Sequence, residues 1–323
     1  MRPPETRNRG ARITEALING MRNVVIENRF VKVRVNADLG ADIAEFVYKP
    51  LDVDAMWKTP LPETAFGTAA AHPPSKHNGF AYYYEGGWQE LFPHASRPVE
   101  AFGTQFPQHG EAWGLPWEYQ VERDLPDEVS VLFRLWTRLT PFCLERTMTL
   151  SEGDKTVRIE ERVKNLGEVD LSFIWGHHPA FGEPFLDDSC TISAPAKTLY
   201  DGKEEYPWPS EGKVPVYHEI PPRGAECGAM VYFLDLEEGR YDIRNANLDL
   251  GFRMTWDKEV FPYIWVWQEF NSSKGSPWFG RAYATAIEPV SSLPFAREEG
   301  GRMLSLGAGQ TLETLLEAGF VTE

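Results

Sequence analysis

The segment Phe30-Val31-Lys32-Val33-Arg34-Val35 alternates apolar and basic side chains near the start of the chain. Because successive side chains of a strand point to opposite faces, this alternation predicts a β-strand with one buried face. The apolar segment Val24-Val25-Ile26 precedes it, and the apolar run Ile43–Tyr48 follows the turn formers of residues 36–40. The start of the chain therefore predicts strands that pair with their neighbours in sequence.

Further strand-like segments recur along the chain, separated by clusters of Gly, Pro, Asp and Asn. They are Val129–Leu135, Leu144–Leu150, Thr156–Val163, Leu171–Trp175, Met230–Leu234, Gly251–Trp256, Tyr263–Trp267 and Ala282–Ile287. No long amphipathic helix lies between them, whereas the crossovers of a doubly wound α/β fold need such helices. Many short strands with turns between them predict an all-β fold, a large antiparallel β-sandwich or barrel.

The chain has 323 residues, of which 42% are hydrophobic and 13% aromatic, so a large core can form. It shows no internal repeat or linker-like change in composition, and residues 21–323 are expected to form a single domain. Residues 1–20 are expected to be a loosely ordered lead-in. Residues 59–116 are weakly periodic and rich in Pro, His, Gly and aromatic side chains, which predicts long functional loops.

The charge of the chain narrows the classes of partner. Lys and Arg total 32 against 48 Asp and Glu, a formal charge of -16. This charge repels nucleic acids and anionic membranes, so neither is expected as a partner and an uncharged sugar is the easier ligand. Three cysteines without CxxC spacing argue against a disulfide scaffold or a structural zinc site. With no apolar signal segment at the start, these features predict a cytoplasmic location.

Two apolar segments contain residues that can transfer protons. Phe173–Gly182 runs into His177 and His178, and Ala284–Val290 carries Glu288 just before a proline. An imidazole, with a pKa of about 6.5, suits proton donation near neutrality. Burying a carboxylate in an apolar strand is costly, so such a residue is expected to have a charged or hydrogen-bonding partner or a catalytic role. Taken alone, the histidines are better explained as strand caps, and Glu288 is as easily explained by an ion pair.

The long segment combines tryptophans with polar side chains, which is the composition of a sugar site. Trp88 lies in Gly86–Pro93, and His109 and Glu111 lie in Phe106–Trp113. The C–H faces of pyranoses stack on aromatic rings, and their hydroxyls need fixed donors and acceptors. An aromatic core beneath a loop is the alternative. A metal held by His109 and Glu111 is disfavoured because the companion HxH pattern is missing.

The segment Phe261–Glu269 is the remaining candidate. Its alternation places Trp265 and Trp267 on one face of a sheet. Ile264, Val266 and Gln268 lie on the other face. Core packing is the default interpretation of either tryptophan, and a ligand platform is the alternative.

Several segments, taken in order over roughly residues 24–321, resemble the aldose 1-epimerase or galactose mutarotase-like superfamily. They are Gly176-His177-His178-Pro179-Ala180-Phe181, Ile287-Glu288-Pro289, Leu91-Phe92-Pro93, His109-Gly110, Phe261–Trp267 and Leu306–Gln310. One departure is Trp113, which stands where the family often has an arginine.

The resemblance implies a galactose mutarotase-like sandwich and an isomerase that interconverts α and β anomers of an aldose without a cofactor. In the family, the histidine directly before the proline is the general acid, a role that transfers to His178, and the glutamate of the Glu-Pro segment is the general base, which implies Glu288. No metal is expected. The residues expected to contact the sugar are His109, Trp88, Trp267 and Arg97.

Two other functions remain open at this stage. A non-catalytic carbohydrate-binding or sensor protein would use the same cleft. A lyase or hydrolase accessory role would need a second carboxylate, such as Glu111 paired with Glu288. In each case the partner is a small-molecule sugar, and the protein is expected to be a monomer or a homodimer.

Overall fold

The computed structural model describes residues 9–61, 80, 83–209, 217–294 and 296–322. Strands dominate these residues, with a 3-10 turn at Ala112–Gly114 and a four-residue helix at Ala296–Glu299. No helix among them has the length and apolar character needed to cross a membrane. The strands are β1 (Arg12–Ile18), β2 (Met21–Glu27), β3 (Val31–Asn36), β4 (Asp42–Tyr48), β5 (Val53–Asp54), β6 (Trp88–Leu91), β7 (Val99–Ala101), β8 (Thr104–Phe106), β9 (Glu118–Asp124), β10 (Glu128–Trp136), β11 (Phe142–Ser151), β12 (Thr156–Asn165), β13 (Leu171–Phe173), β14 (Gly176–Gly182), β15 (Cys190–Ser193), β16 (Thr198–Tyr200), β17 (Glu205–Pro207), β18 (Cys227–Leu234), β19 (Arg240–Asn245), β20 (Leu250–Trp256), β21 (Tyr263–Phe270), β22 (Tyr283–Val290), β23 (Leu304–Leu306) and β24 (Thr311–Val321).

The strands form two large antiparallel sheets. The 12-stranded sheet has the order β1-β2-β3-β4-β6-β14-β22-β21-β18-β16-β17, with β5 paired to β4. The 8-stranded sheet has the order β15-β19-β20-β24-β12-β11-β10-β9. Phe46 of the first sheet packs on Phe252 and Phe320 of the second, at ring-centroid distances of 5.1 and 5.6 Å. The core therefore lies between the sheets, and the predicted all-β antiparallel sandwich is confirmed.

Position in the sheets explains the two burial patterns of the strands. Along β12, from Thr156 to Asn165, exposed and buried side chains alternate strictly. By contrast, β14 and β22 are buried at every position. Both lie in the middle of the 12-stranded sheet, where the core covers one face and further side chains cover the other. Polar side chains on either face of these two strands are therefore shielded from water.

The hydrogen-bonded ladder between β14 and β22 is interrupted in its middle. Pairing occurs at Gly176 and resumes only at Ala180 of β14. When the same register is continued across the interruption, His178 lies directly opposite Glu288. The outer neighbours remain paired through this region, β6 with β14 and β21 with β22. The two residues therefore face each other where their own strands are not bonded together.

Two prolines explain the interruption. Pro179 and Pro289 each follow one of the facing residues in sequence, and proline has no N–H to donate to a ladder. The paired sequences His-Pro and Glu-Pro thus set the local geometry as well as supplying the polar side chains.

Two predictions about local order are corrected. Residues 1–8 lie outside the described residues, but the rest of the predicted lead-in contains β1, which pairs with β2 along its whole length. The long segment 59–116, where it is described, contains β6, β7 and β8 as well as loops. Its short polar strands lack the apolar alternation that identifies a strand in sequence. All the strand-like segments predicted between residues 129 and 287 overlap observed strands.

Candidate active site

A cleft opens on the face of the 12-stranded sheet that lies away from the core. Alternation along β21 decides which side chains it receives, because Ile264 and Val266 join the core whereas Trp265 and Trp267 face the cleft. The cleft has a volume of about 230 Å³. Its described lining consists of Phe80, Tyr84, Ser96, Arg97, Gln108, His109, His178, Met230, Tyr232, Trp265, Trp267, Trp278, Glu288 and Pro294.

His178 and Glu288 meet in this cleft. Nε2 of His178 lies 3.5 Å from Oε1 of Glu288, and the two residues are only 4% and 2% exposed. Burial disfavours charge on either group, so it raises the pKa of Glu288 well above its ordinary value and lowers the pKa of His178 to about 4. The pair therefore favours a protonated carboxyl beside a neutral imidazole, with one acidic proton between them.

Tyr84 orients the imidazole of His178. The Tyr84 hydroxyl lies 3.2 Å from Nδ1 of His178, and burial, with Glu288 nearby, raises the pKa of the phenol well above its ordinary value. The phenol therefore keeps its proton, and its oxygen can accept a hydrogen bond from Nδ1–H of His178. A neutral imidazole protonated on Nδ1 leaves the lone pair of Nε2 facing Glu288, where it can accept the carboxyl proton.

His109 forms a second polar position in the cleft. Its ring lies 4.2 Å from the ring of Phe80 and 5.2 Å from that of His178, and its buried Nδ1 has no hydrogen-bond partner in the described residues. Burial, followed by the neighbouring His178, lowers its pKa well below the ordinary value. A neutral imidazole with an unpaired nitrogen is suited to hydrogen bonding with an uncharged ligand.

The backbone at His109 requires a glycine after it. His109 and Gly110 have φ angles of 65° and 80°, in the left-handed region. A Cβ atom at Gly110 would lie 2.2 Å from the carbonyl oxygen of Phe92. The sequence His-Gly therefore fixes the turn that directs this histidine into the cleft.

Aromatic rings form the walls of the cleft. The ring centroids of Trp267 and Trp278 are 5.4 Å apart, and Trp267 lies 6.1 Å from the ring of His178. Trp265 is held in place because its Nε1 donates to the carbonyl oxygen of Ser292 at 2.9 Å. Fixed aromatic planes beside a few polar groups are typical of a site that stacks on the C–H faces of a sugar.

Comparison with known proteins gives the family and the fold. A family model described as a domain of unknown function, DUF4432, matches residues 18–319. The chain belongs to the DUF4432 family. No curated protein matches its sequence.

Solved structures resemble this DUF4432 protein over nearly its whole length. A Klebsiella pneumoniae protein, provisionally named an aldose 1-epimerase, has a TM-score of 0.76 at 15% identity and covers 96% of this chain and 83% of its own. A galactose mutarotase-like protein from Clostridium acetobutylicum has a TM-score of 0.72 at 15% identity, with 97% and 99% covered. A galactose mutarotase related enzyme from Lactobacillus acidophilus has a TM-score of 0.64 at 16% identity, with 93% and 97% covered. The predicted galactose mutarotase-like fold is confirmed, and at these identities the likeness shows the fold alone.

Most of the residues predicted to form the site of this DUF4432 protein do line the cleft. His178, Glu288, His109 and Trp267 are inside it, and the exposed Arg97 lies along its described lining. The prediction for Trp88 is corrected. Its side chain belongs to the core between the sheets and its Nε1 donates to Nδ1 of His177 at 3.3 Å. Alternation along β6 could not predict that Trp88 faces the core, because the strands that surround β6 in the sheet decide which of its two faces is covered.

Glu111 has a structural role that the sequence did not reveal. It accepts hydrogen bonds from the backbone N–H groups of Arg138 and Leu139 and from the Thr140 hydroxyl, at 2.7 to 2.8 Å. These bonds fix the turn between β10 and β11 and use both carboxylate oxygens. Glu111 is not among the residues that line the cleft, so its proposed pairing with Glu288 is corrected.

The sequence analysis of the DUF4432 protein missed several lining residues. Tyr84 lies in a run of tyrosines before Gly86-Gly87. That run of aromatic side chains was the one sequence feature that could have indicated a lining residue there. Tyr232 lines the cleft together with Met230 because the two alternate on β18 with side chains of the core. Trp278 comes from a loop that shows no periodic pattern, so only the tertiary structure places it.

Proposed function

We propose that this DUF4432 protein is an aldose 1-epimerase, an isomerase that interconverts the α and β anomers of an aldose. The observation that carries the proposal is the pairing of His178 with Glu288 inside the cleft. Anomer exchange removes a proton from O1 and delivers one to O5, and both oxygens are bonded to C1. The two groups that transfer these protons must be near neighbours, which a separation of 3.5 Å provides.

In the proposed ring opening, the Glu288 carboxylate takes the proton of the O1 hydroxyl. The electrons of that O–H bond form the carbonyl double bond, the C1–O5 bond breaks, and the His178 imidazolium protonates O5. Rotation about C1–C2 presents the other carbonyl face. Reclosure reverses the roles, because the neutral His178 accepts the proton of the C5 hydroxyl and the Glu288 carboxylic acid protonates the carbonyl oxygen. The cycle exchanges no electrons with an outside group and returns both side chains to their starting states.

The form of the pair that starts this cycle holds one acidic proton, as does the neutral pair of a carboxylic acid and an imidazole. Moving that proton from Glu288 to His178 converts the neutral pair into the carboxylate and imidazolium. Sugar hydroxyls and the nearby Tyr84 hydroxyl supply dipoles that favour this charge-separated form. The proposed chemistry therefore needs no change in the number of bound protons.

The aromatic part of the lining favours a small sugar as the substrate, and Arg97 is the one arginine among the described lining residues. Tryptophan and tyrosine rings dominate the described walls, and Glu288 is the one carboxylate among the lining residues. The hydrolytic alternative needs a second carboxylate at a defined distance, and the described lining does not provide it. The expected monomer or homodimer and the cytoplasmic location stay predictions.

The pH dependence of kcat/KM, which reports the pKa values of the free protein, is expected to be bell-shaped. Below a pH of about 4, where His178 gains a second proton, the pair holds two acidic protons and Glu288 can no longer act as the base. Above the raised pKa of Glu288 the pair holds none, and the acid is lost. Rates of anomer exchange measured across the pH range, corrected for the uncatalysed reaction, check this. A rate that is flat across both regions would contradict the assigned pair.

Replacing Tyr84 by Phe is expected to lower kcat about tenfold with little change in KM. The hydroxyl contributes about 1 kcal/mol through its hydrogen bond to His178 and also fixes which nitrogen carries the proton. The matched control is Tyr83→Phe, because Tyr83 is its buried neighbour in sequence but is not among the lining residues. Equal rates for wild type and Tyr84→Phe would remove Tyr84 from the mechanism.

The direct test of the function is anomeric proton exchange, followed by NMR or polarimetry on freshly dissolved α-glucose, α-galactose and rarer aldoses. Accelerated equilibration by wild type supports the proposal, and the fastest sugar identifies the substrate class. Binding of a sugar in calorimetry without faster equilibration would establish the alternative, a non-catalytic carbohydrate-binding or sensor protein.

A further inference from the structure

Four charged side chains meet in the core on the opposite side of the sheet from the cleft. Glu90 of β6 and His177 of β14 are cross-strand partners in the 12-stranded sheet, and Arg146 of β11 and Glu161 of β12 are cross-strand partners in the 8-stranded sheet. All four are at most 2% exposed. We call these four residues the ionic tetrad. It joins the two sheets, and one of its members, His177, directly precedes His178 in the sequence.

Arg146 binds both carboxylates of the ionic tetrad. Its Nε donates to Glu161 at 2.9 Å, its Nη2 donates to Glu90, and its Nη1 donates to the carbonyl oxygen of Ala41 at 2.8 Å. His177 completes the cluster. Its Nε2 lies 3.1 Å from Glu161, and its Nδ1 lies 3.6 Å from Glu90. The imidazole is thus held from both sides by side chains of two different sheets.

The charges of the ionic tetrad balance only with one further proton. Two carboxylates and one guanidinium leave one negative charge, which is costly in the core. Burial alone would lower the pKa of His177, but Glu161 and Glu90 together raise it above the ordinary value. Burial, with Glu161, also raises the pKa of Glu90. One proton shared within the cluster of Glu90, Glu161 and His177 therefore makes it neutral.

The ionic tetrad is better described as an ion cluster than as a metal site. Ligand atoms of Glu90, Glu161 and His177 do lie within 4.8 Å of one another. However, the guanidinium of Arg146 is already bonded to both carboxylates and would repel a cation placed between them. The nearby Asp42, bonded to Gln89 at 3.1 Å, also interacts electrostatically with Arg146.

We propose that the ionic tetrad positions His178 for proton transfer, with His177 as the positioning residue. The backbone of His177 and His178 lies in the interruption of the ladder with β22, so backbone pairing holds it on the β6 side only. The buried side chain of His177 supplies the missing constraint by anchoring this segment to the facing sheet. The inference rests on the proposed function, in which His178 is the acid.

His177→Gln tests the inference, because glutamine keeps hydrogen-bonding capacity and removes the titratable imidazole. We expect kcat to fall by about 10- to 100-fold with KM nearly unchanged, since displacement of a reacting group by about 1 Å can cost 10²-fold. Glu161→Gln is expected to act in the same direction. The control is His218→Gln, because His218 is a partly exposed histidine that makes none of the contacts of the ionic tetrad.

The imidazole signals of His178 give a readout that needs no turnover. In NMR spectra, assigned with His178→Asn, we expect the chemical shift and apparent pKa of His178 to change in His177→Gln and Glu161→Gln. Unchanged His178 signals and unchanged kcat in the folded variants would overturn the inference, even if their thermal stability fell. If His177→Gln does not fold, Glu161→Gln decides the question, together with Trp88→Phe, which removes the donor to His177 Nδ1 and part of a core side chain. If wild type exchanges no sugar, the proposed function fails while these signals still report on the positioning.

Discussion

Replacing Glu288 by Gln is expected to lower kcat for anomer exchange by about 10²–10⁴-fold, the usual contribution of a well-placed proton-transfer group. The amide cannot accept the proton of the O1 hydroxyl, yet it has nearly the same shape as the carboxyl it replaces. KM should change little, because the aromatic walls that hold the sugar are untouched. Polarimetry or exchange NMR with the preferred aldose measures the loss of kcat. The matched control is Glu205→Gln, which changes an exposed glutamate on β17.

The same variant is expected to be more stable than wild type near neutral pH. The pKa of Glu288 is raised in the folded state, so between its unfolded and folded pKa values the folded protein holds a proton that the unfolded chain has released. Stability therefore falls as pH rises through that range, and removing the group removes the cost. A gain of about 0.5–2 kcal/mol is in the range seen when a functional residue is replaced. Wild-type activity in Glu288→Gln would contradict the assignment whatever the stability.

Replacing His178 by Asn is expected to lower kcat by a similar factor of about 10²–10⁴. Asparagine cannot carry the proton that O5 requires. The Tyr84 hydroxyl also loses its hydrogen-bond partner, Nδ1 of His178. Anomer exchange and sugar binding should be measured on the same sample, since binding is expected to survive. The control is His218→Asn, which changes a partly exposed histidine that does not line the cleft.

The double variant His178→Asn with Glu288→Gln sharpens this result. The two groups act on the same C1–O5 bond as one unit, so the combined loss should be close to the larger single loss and far from the product of the two. Multiplying losses would instead indicate that each residue acts independently, which is incompatible with the concerted mechanism proposed here.

The two predictions also separate the enzyme from the binding protein. A sensor that uses this cleft would bind sugar equally well in wild type and in Glu288→Gln, and neither would speed equilibration. An epimerase would bind sugar both as wild type and as Glu288→Gln, but only the wild type would speed equilibration. The comparison requires only calorimetry and exchange rates on two proteins.

Sequence alone determined the class of fold, and its resemblance to a known family selected the residues proposed for the centre of the site. Alternation of apolar and polar side chains is a local property, so strands such as β11, β12 and β21 were predictable. The family resemblance assigned roles to His178 and Glu288, because the local pattern of an apolar run followed by a proline is explained equally well by a strand cap or an ion pair. The strict period of two also required His177 and His178 to point to opposite faces.

Only the tertiary structure decided which of those faces is the cleft. Period-two alternation fixes which side chains share a face, but the neighbouring strands and loops decide which face is covered, and these come from distant parts of the chain. For this reason Trp88 entered the core while Trp265 and Trp267 entered the cleft. For the same reason Glu111 was bound by a distant turn, and His177 met Arg146 and Glu161 across the sandwich.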